Sequence, residues 1–248
     1  MNVGFRGLWV GLSLAAVVAF TGCGFGPQVV GSGHQVEEER QTPDFVALEV
    51  NDGIDATVVV DANQPRKVRL VGDDNLVALM RTEKVGANAL RIYFRPEDVA
   101  GWTSPNPLRV EVTVPGLESL TRSGGGTVDV SGTVAPASFS LAASGGGTVK
   151  IRGLSTESFS MDVSGGADVT LAGCVTRVTS NMSGGSILRA RELCAREATL
   201  HSSGGGSAVM RVSDTLRVTA SGGSEVRIVG RPSVLSQELS GGSTLSFE

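Results

Sequence analysis

Polar and apolar residues alternate through the second half of the chain in blocks that restart at a nearly fixed interval. The tripeptide Ser-Gly-Gly begins at Ser123, Ser144, Ser164, Ser183, Ser203, Ser221 and Ser240, in steps of 21, 20, 19, 20, 18 and 19 residues. Aligned on that serine, the fifth following position is Val128, Val149, Val169, Leu188, Ala208, Val226 and Leu245. The seventh is Val130, Ile151, Leu171, Ala190, Met210, Ile228 and Phe247. All fourteen are apolar, whereas the sixth position between them is mostly polar. A period of two with one apolar face predicts a half-buried strand. Before the serine the same alternation holds, with apolar residues at five of seven third-preceding positions. The third position after it is always Gly, Ala or Ser.

Each unit therefore reads as strand, glycine corner, strand and short loop. A single unit cannot bury its apolar face, but stacked units can, and the period is that of a solenoid. The spacing predicts an all-β, single-domain β-helix of about seven Ser-Gly-Gly-cornered coils, right-handed by the usual chirality of parallel connections. Seven copies also dispose of a dedicated phosphate loop, because none leads into Gly-Lys-Ser/Thr and all lead into strands. Cys174 lies nine residues before Ser183 and Cys194 nine before Ser203, so stacking places them one above the other. They form either a disulfide across adjacent coils or two buried thiols in one stack.

Between Phe45 and Leu120 the segments FVALEV, IDATVVV, KVRLVG, ALRIYF and LRVEVTV also read as strands, less regularly spaced, with one helical turn at NLVALM. A divergent terminal unit of this kind is expected to cap the stack. The order of these pieces, with Gly72-Asp73-Asp74-Asn75-Leu76 before a strand and Pro115-Gly116-Leu117 before the first Ser-Gly-Gly, resembles the head GIN domain family. That bacterial domain of unknown function carries the family label "putative auto-transporter adhesin". The resemblance covers about Val36 to Glu248 and implies a β-helical envelope protein, with no catalytic residues to carry over. An autotransporter barrel is not expected here, because the sequence closes on another repeat.

The beginning of the chain has a different character. Arg6, an apolar run LWVGLSLAAVVAF and then Thr21-Gly22-Cys23 predict a secretory signal over residues 1–22. Phe20-Thr21-Gly22-Cys23 resembles a bacterial lipobox, with Phe20 in place of the usual aliphatic residue. The resemblance implies lipidation of Cys23 and a membrane anchor, and Gly24 in place of Asp implies the outer membrane, facing periplasm or cell surface. Residues 23–43, rich in Gly, Pro and charge, are expected to form a flexible tether, and residues 44–248 the GIN-like β-helix. A formal charge of −4 points away from nucleic acid as a partner.

Candidate chemistry is sparse. The chain has two His, one of them in the expected tether, so neither a zinc site nor a His-based triad is expected, and no cofactor or metal. Lys150, Arg189 and Arg227 share the sixth-position row and are candidate ligand contacts. Trp102, in GWTSPNP, is the one large aromatic candidate for exposure. These residues leave two readings: a non-catalytic, adhesin-like binding or structural module, contacting glycans, an envelope protein or its own copies, and an enzyme cleaving acidic polysaccharide along a basic groove.

Overall fold

The computed structural model describes residues 26–248. In chain order the elements are β1 (Gln28–Val30), β2 (Gln35–Glu39), β3 (Ala47–Val50), β4 (Asp55–Val60), β5 (Lys67–Asp73), α1 (Asp74–Val77), β6 (Met80–Val85), β7 (Ala89–Phe94), β8 (Gly101–Thr103) and β9 (Arg109–Val114). There follow β10 (Ser119–Gly124), β11 (Thr127–Gly132), β12 (Ser138–Gly145), β13 (Thr148–Val163), β14 (Asp168–Gly184), β15 (Ile187–Gly204), β16 (Ser207–Ser221), β17 (Glu225–Val229), β18 (Ser233–Leu239) and β19 (Thr244–Phe247). From β10 onward every pairing is parallel, and each coil stacks on the one before, with register shifts confined to a few positions such as Ile151/Leu154 and Ala190/Cys194. The result is a single β-solenoid, in which seven corners enclose about six turns.

The burial pattern gives the cross-section. Along β13 the inward residues are Val149 and Ile151, then Leu154 and Thr156, then Phe159, Met161 and Val163. Each change of parity marks a bend, so two long flats meet at the glycine corner and a short third flat closes the coil. Like residues stack in the interior, as Phe139 and Phe159 do with ring centroids 6.0 Å apart. The apolar core is continuous from Phe45 to Ile228.

Each corner glycine has its own reason. The first glycine of each Ser-Gly-Gly has positive φ, as at Gly145 (φ 90), and a Cβ there would meet Gly124 O at 2.5 Å in the coil below. Both constraints demand glycine. The second, as at Gly146, faces open space. The residue after that points inward and must be small. At Ser186 and Ser224 the hydroxyl satisfies the corner: Ser186 Oγ donates to Ser183 O (2.8 Å), and Ser224 Oγ to Ser221 O (3.0 Å). Gly147 has no hydroxyl, and Arg122 takes over. Its guanidinium donates to Ser144 O (3.1 Å) and Gly126 O (2.7 Å) and fills the space a side chain at 147 would need. Arg122 is only 1% exposed, and burial pushes its pKa down from the ordinary value.

The first half departs from a simple stack. β3 pairs through one edge with β7 and through the other with β10, and β4 is held likewise between β9 and β11. The first-formed coil in the chain is thus the second in space, and the β7/β9 coil lies outside it. Antiparallel strands close that end: β5 on β9, β2 on β5, and β6 on β7. The turn α1 drops Leu76 and Val77 onto the open end of the core, and Met80 at the start of β6 joins them, all at most 1% exposed. At the other end Val234, Leu235 and Phe247 are exposed.

The expected tether is corrected by these contacts. From Gln28 the segment is strand, β1 lying parallel to β8 and β2 antiparallel to β5. The Asp73-Asp74-Asn75 run holds it. Ser32 Oγ donates to Asp74 Oδ1 (2.5 Å), Ser32 N to Asn75 Oδ1 (2.9 Å), and Asn75 Nδ2 to Val30 O (2.9 Å). Asp73 is buried beneath Gly31 and accepts from Ser104 Oγ (2.6 Å) and Asn106 Nδ2. Polar composition suggests a loose chain only when no partner strand or side chain receives it, and here both do. Residues 1–22 and Cys23 lie outside the described residues.

Candidate functional site

The sixth-position row is a true column. Asp129, Lys150, Thr170, Arg189, Val209, Arg227 and Ser246 pair one above another. Its guanidiniums are already neutralised. Arg189 Nη2 lies 2.9 Å from Asp168 Oδ2, whose hydrogen bond raises the arginine pKa. Arg227 contacts Glu225 Oε1 (2.6 Å) and Glu248 Oε1 (3.2 Å). Asp129 pairs with Arg152 (3.1 Å). A basic groove for uronates needs cations without internal counter-ions, so the acidic-polysaccharide reading finds no support in this face. Lys150 shares the column with no ion pair among the described residues. Trp102 is elsewhere, in β8 at the capped end. Its Nε1 donates to Asp52 O (3.2 Å), and its ring packs with Val29 of β1 against the core. The four candidate contacts therefore do not form one site.

The structure brings together a different set. A groove of about 490 Å³ runs across the strands that precede the glycine corner, over six successive coils. One wall is an outward column two residues before each corner glycine's serine: Thr121, Ala142, Asp162, Asn181, His201 and Thr219, paired in register. The corner serines Ser144, Ser164, Ser183, Ser203 and Ser221 form the other, and Ala143, Val163, Met182 and Ser202 lie between. Within the first column Asn181 Nδ2 donates to Asp162 Oδ1 (2.8 Å). At the end of the groove nearest the cap, Arg122 is the buried guanidinium described above. The column escapes sequence reading because its six members, all polar but Ala142, follow no single residue type that would mark them as a set. His201 reads there as a lone histidine, and only stacking supplies its neighbours.

A second groove of about 490 Å³ follows the short third flat, lined by Glu157, Cys174, Cys194, Arg196 and Arg211 among others. Cys174 and Cys194 pair in register on adjacent coils and are joined by a disulfide, with Cα atoms 4.6 Å apart. Among the described residues no group of His, Cys, Asp or Glu is arranged to hold a metal ion, and no helix is long and apolar enough to cross a membrane.

The family model described as "Putative auto-transporter adhesin, head GIN domain" matches residues 44–232. The chain belongs to the head GIN domain family. The boundary at residue 44 leaves β1 and β2 outside the family match, although they pack on the GIN domain. Among solved structures, a "putative adhesin" from Bacteroides fragilis is 18% identical with a TM-score of 0.78, covering 88% of this chain and 98% of its own. A "putative adhesin" from Parabacteroides merdae is 16% identical with a TM-score of 0.68, covering 89% and 99%. A "putative lipid binding protein" from Parabacteroides distasonis is 15% identical with a TM-score of 0.67, covering 90% and 100%. At these identities the likeness speaks for the GIN fold. No curated protein matches the chain.

Proposed function

We propose that this GIN domain is an exported, adhesin-like binding module of the bacterial envelope, anchored through a lipid on Cys23 and working without catalysis. The observation that carries the reading is the groove over six register-locked coils. Rigid, repeated surfaces of this kind bind extended ligands through many modest contacts. The family's adhesin description and the adhesin-named structural neighbours support the same class of role. The lipobox-like Phe20-Thr21-Gly22-Cys23 supports the anchor, and Gly24 supports an outer-membrane address.

Membrane fractionation and protease shaving of intact cells, for wild type and Cys23→Ala, test the address. The expected result is a membrane-bound wild type and a released mutant. Shaving from outside gives a surface adhesin, and protection gives a periplasmic binder. A wild type recovered wholly in the soluble fraction refutes the anchor.

A further inference from the structure

The groove's dimensions and chemistry specify a class of ligand. This step rests on the groove being the binding face. We infer that it binds an uncharged, linear, β-linked glycan lying along the stack axis, one sugar ring per coil.

The first argument is periodicity. The outward column presents one side chain per coil, and coils stack at the strand spacing of about 4.7–4.9 Å. From Thr121 to Thr219 there are five such steps, about 24 Å. A β-linked hexopyranose chain joined through its 1 and 4 positions advances by slightly more than one coil height per ring, so six rings span about six coils, with every second ring turning the same edge to the column. An extended peptide advances about 3.3 Å per residue and drifts out of register within two coils. Peptides also bind sheets by pairing with a free edge, and the strands flooring this groove are paired on both sides.

The second argument is the kind of group offered. Ser144, Ser164, Ser183, Ser203, Ser221, Thr121 and Thr219 present hydroxyls, which both donate and accept. Asn181 and His201 add an amide and an imidazole at the centre, both exposed. Sugar hydroxyls match such mixed donor–acceptor ladders. Charge is nearly absent. The groove's single carboxylate, Asp162, is engaged by Asn181, and its single guanidinium, Arg122, is buried. Neither a polyanion nor a polycation finds a complement there. Ala143 and Val163, between the two columns, turn into the core, so a ring lying in the groove meets the outward columns.

The test is binding of chitohexaose and cellohexaose, with the trimers and an oligogalacturonate as comparisons, by calorimetry on the soluble Cys23→Ala protein. The expected result is saturable hexamer binding, with the trimers at least tenfold weaker. Asn181→Ala/His201→Ala, at exposed positions, is expected to weaken the hexamer about tenfold, as two lost hydrogen bonds do. Equal affinity for trimer and hexamer, preference for the uronate, or no hexamer binding overturns the glycan. Adhesion of protein-coated beads to isolated cell envelopes separates the two levels. If the double variant abolishes adhesion but no hexamer binds, the groove stands and the glycan falls. If adhesion persists undiminished in the variant, the groove itself is refuted.

Discussion

Replacing the glycines of Ser144-Gly145-Gly146-Gly147 by alanine, one at a time, should give two large losses, for different reasons, on either side of a nearly neutral change. Gly145 sits at φ 90, where a Cβ also meets Gly124 O at 2.5 Å, a backbone atom that cannot yield without moving a coil. The left-handed conformation costs about 1–2 kcal/mol and the overpacking about 1–3 kcal/mol, so Gly145→Ala should lose about 2–5 kcal/mol. At Gly147 a Cβ would occupy the position of the Arg122 guanidinium and press on Gly126 O. Displacing Arg122 forfeits two charge-assisted bonds, each about 1.5–3 kcal/mol, so the expected loss is about 3–6 kcal/mol. Gly146 has nothing within 4 Å of the added carbon. Its alanine should leave stability within about 0.5 kcal/mol, or raise it by up to about 1 kcal/mol through the unfolded state. Urea unfolding followed by far-UV circular dichroism reads all three. A 3 kcal/mol loss lowers the midpoint by about 1–3 M. Equal shifts for the three variants, or the largest shift at Gly146, would refute the stacked-corner argument.

Other outcomes follow from the cap and the coil contacts. Ser32→Ala removes donation to Asp74 and should open residues 26–40 to limited proteolysis, with the repeat core still resistant, at a cost of about 0.5–1.5 kcal/mol. The carboxyl pKa of Asp73 is lowered by Asn106 and Ser104, and that of Asp74 by Ser32 and the Asn75 amide. Their stabilisation is therefore complete above the unfolded value of about 4 and is lost as pH falls through the lowered values. Hydrogen exchange in β1 and β2 should accelerate in that acid window while β13–β15 stay protected; uniform acceleration would show that the latch has no separate titration. Cys174→Ser/Cys194→Ser opens a cross-link of sequence separation 20 and should cost about 3 kcal/mol, seen as a lower urea midpoint that reductant no longer changes.

The repeat was legible because packing imposes the same demand on every coil. Val128, Val149 and Val169 recur where an inward methyl-bearing side chain is needed, and Gly145 and its equivalents where φ is positive. The coil order was not legible, since β7 and β10 carry the same alternation and both suit an edge of β3. Nor was the docking of β2: QVEEE has no apolar face, and its partner β5 supplies the pairing. The groove was hidden for a third reason. Outward positions are not held to the core, so Thr121, Ala142, Asp162, Asn181, His201 and Thr219 share no packing constraint that would make them alike. Arg122 did leave a trace, as the only charged residue among Arg122, Ala143, Val163, Met182, Ser202, Ala220 and Leu239 at equivalent positions.

The docked N-terminal segment also sets a mechanical path. If Cys23 is the anchor, a pull on ligand held in the groove leaves the domain through β1 and β2. Only two residues separate Cys23 from Gly26, three backbone steps with a reach of about 11 Å at most, so the unloaded domain stands close to the bilayer. Tension from that side meets β1 first, peeling it from β8, then the Ser32 contacts with Asp74 and Asn75, and last the longer β2–β5 pairing. Release of residues 26–39 would free a segment with a contour of at most about 46–50 Å, lengthening the connection by that less the span it already covers, while the coils stay folded. The segment is then a shock absorber in series with the solenoid: short at rest, longer under load, and re-formed when its hydrogen bonds find their partners again.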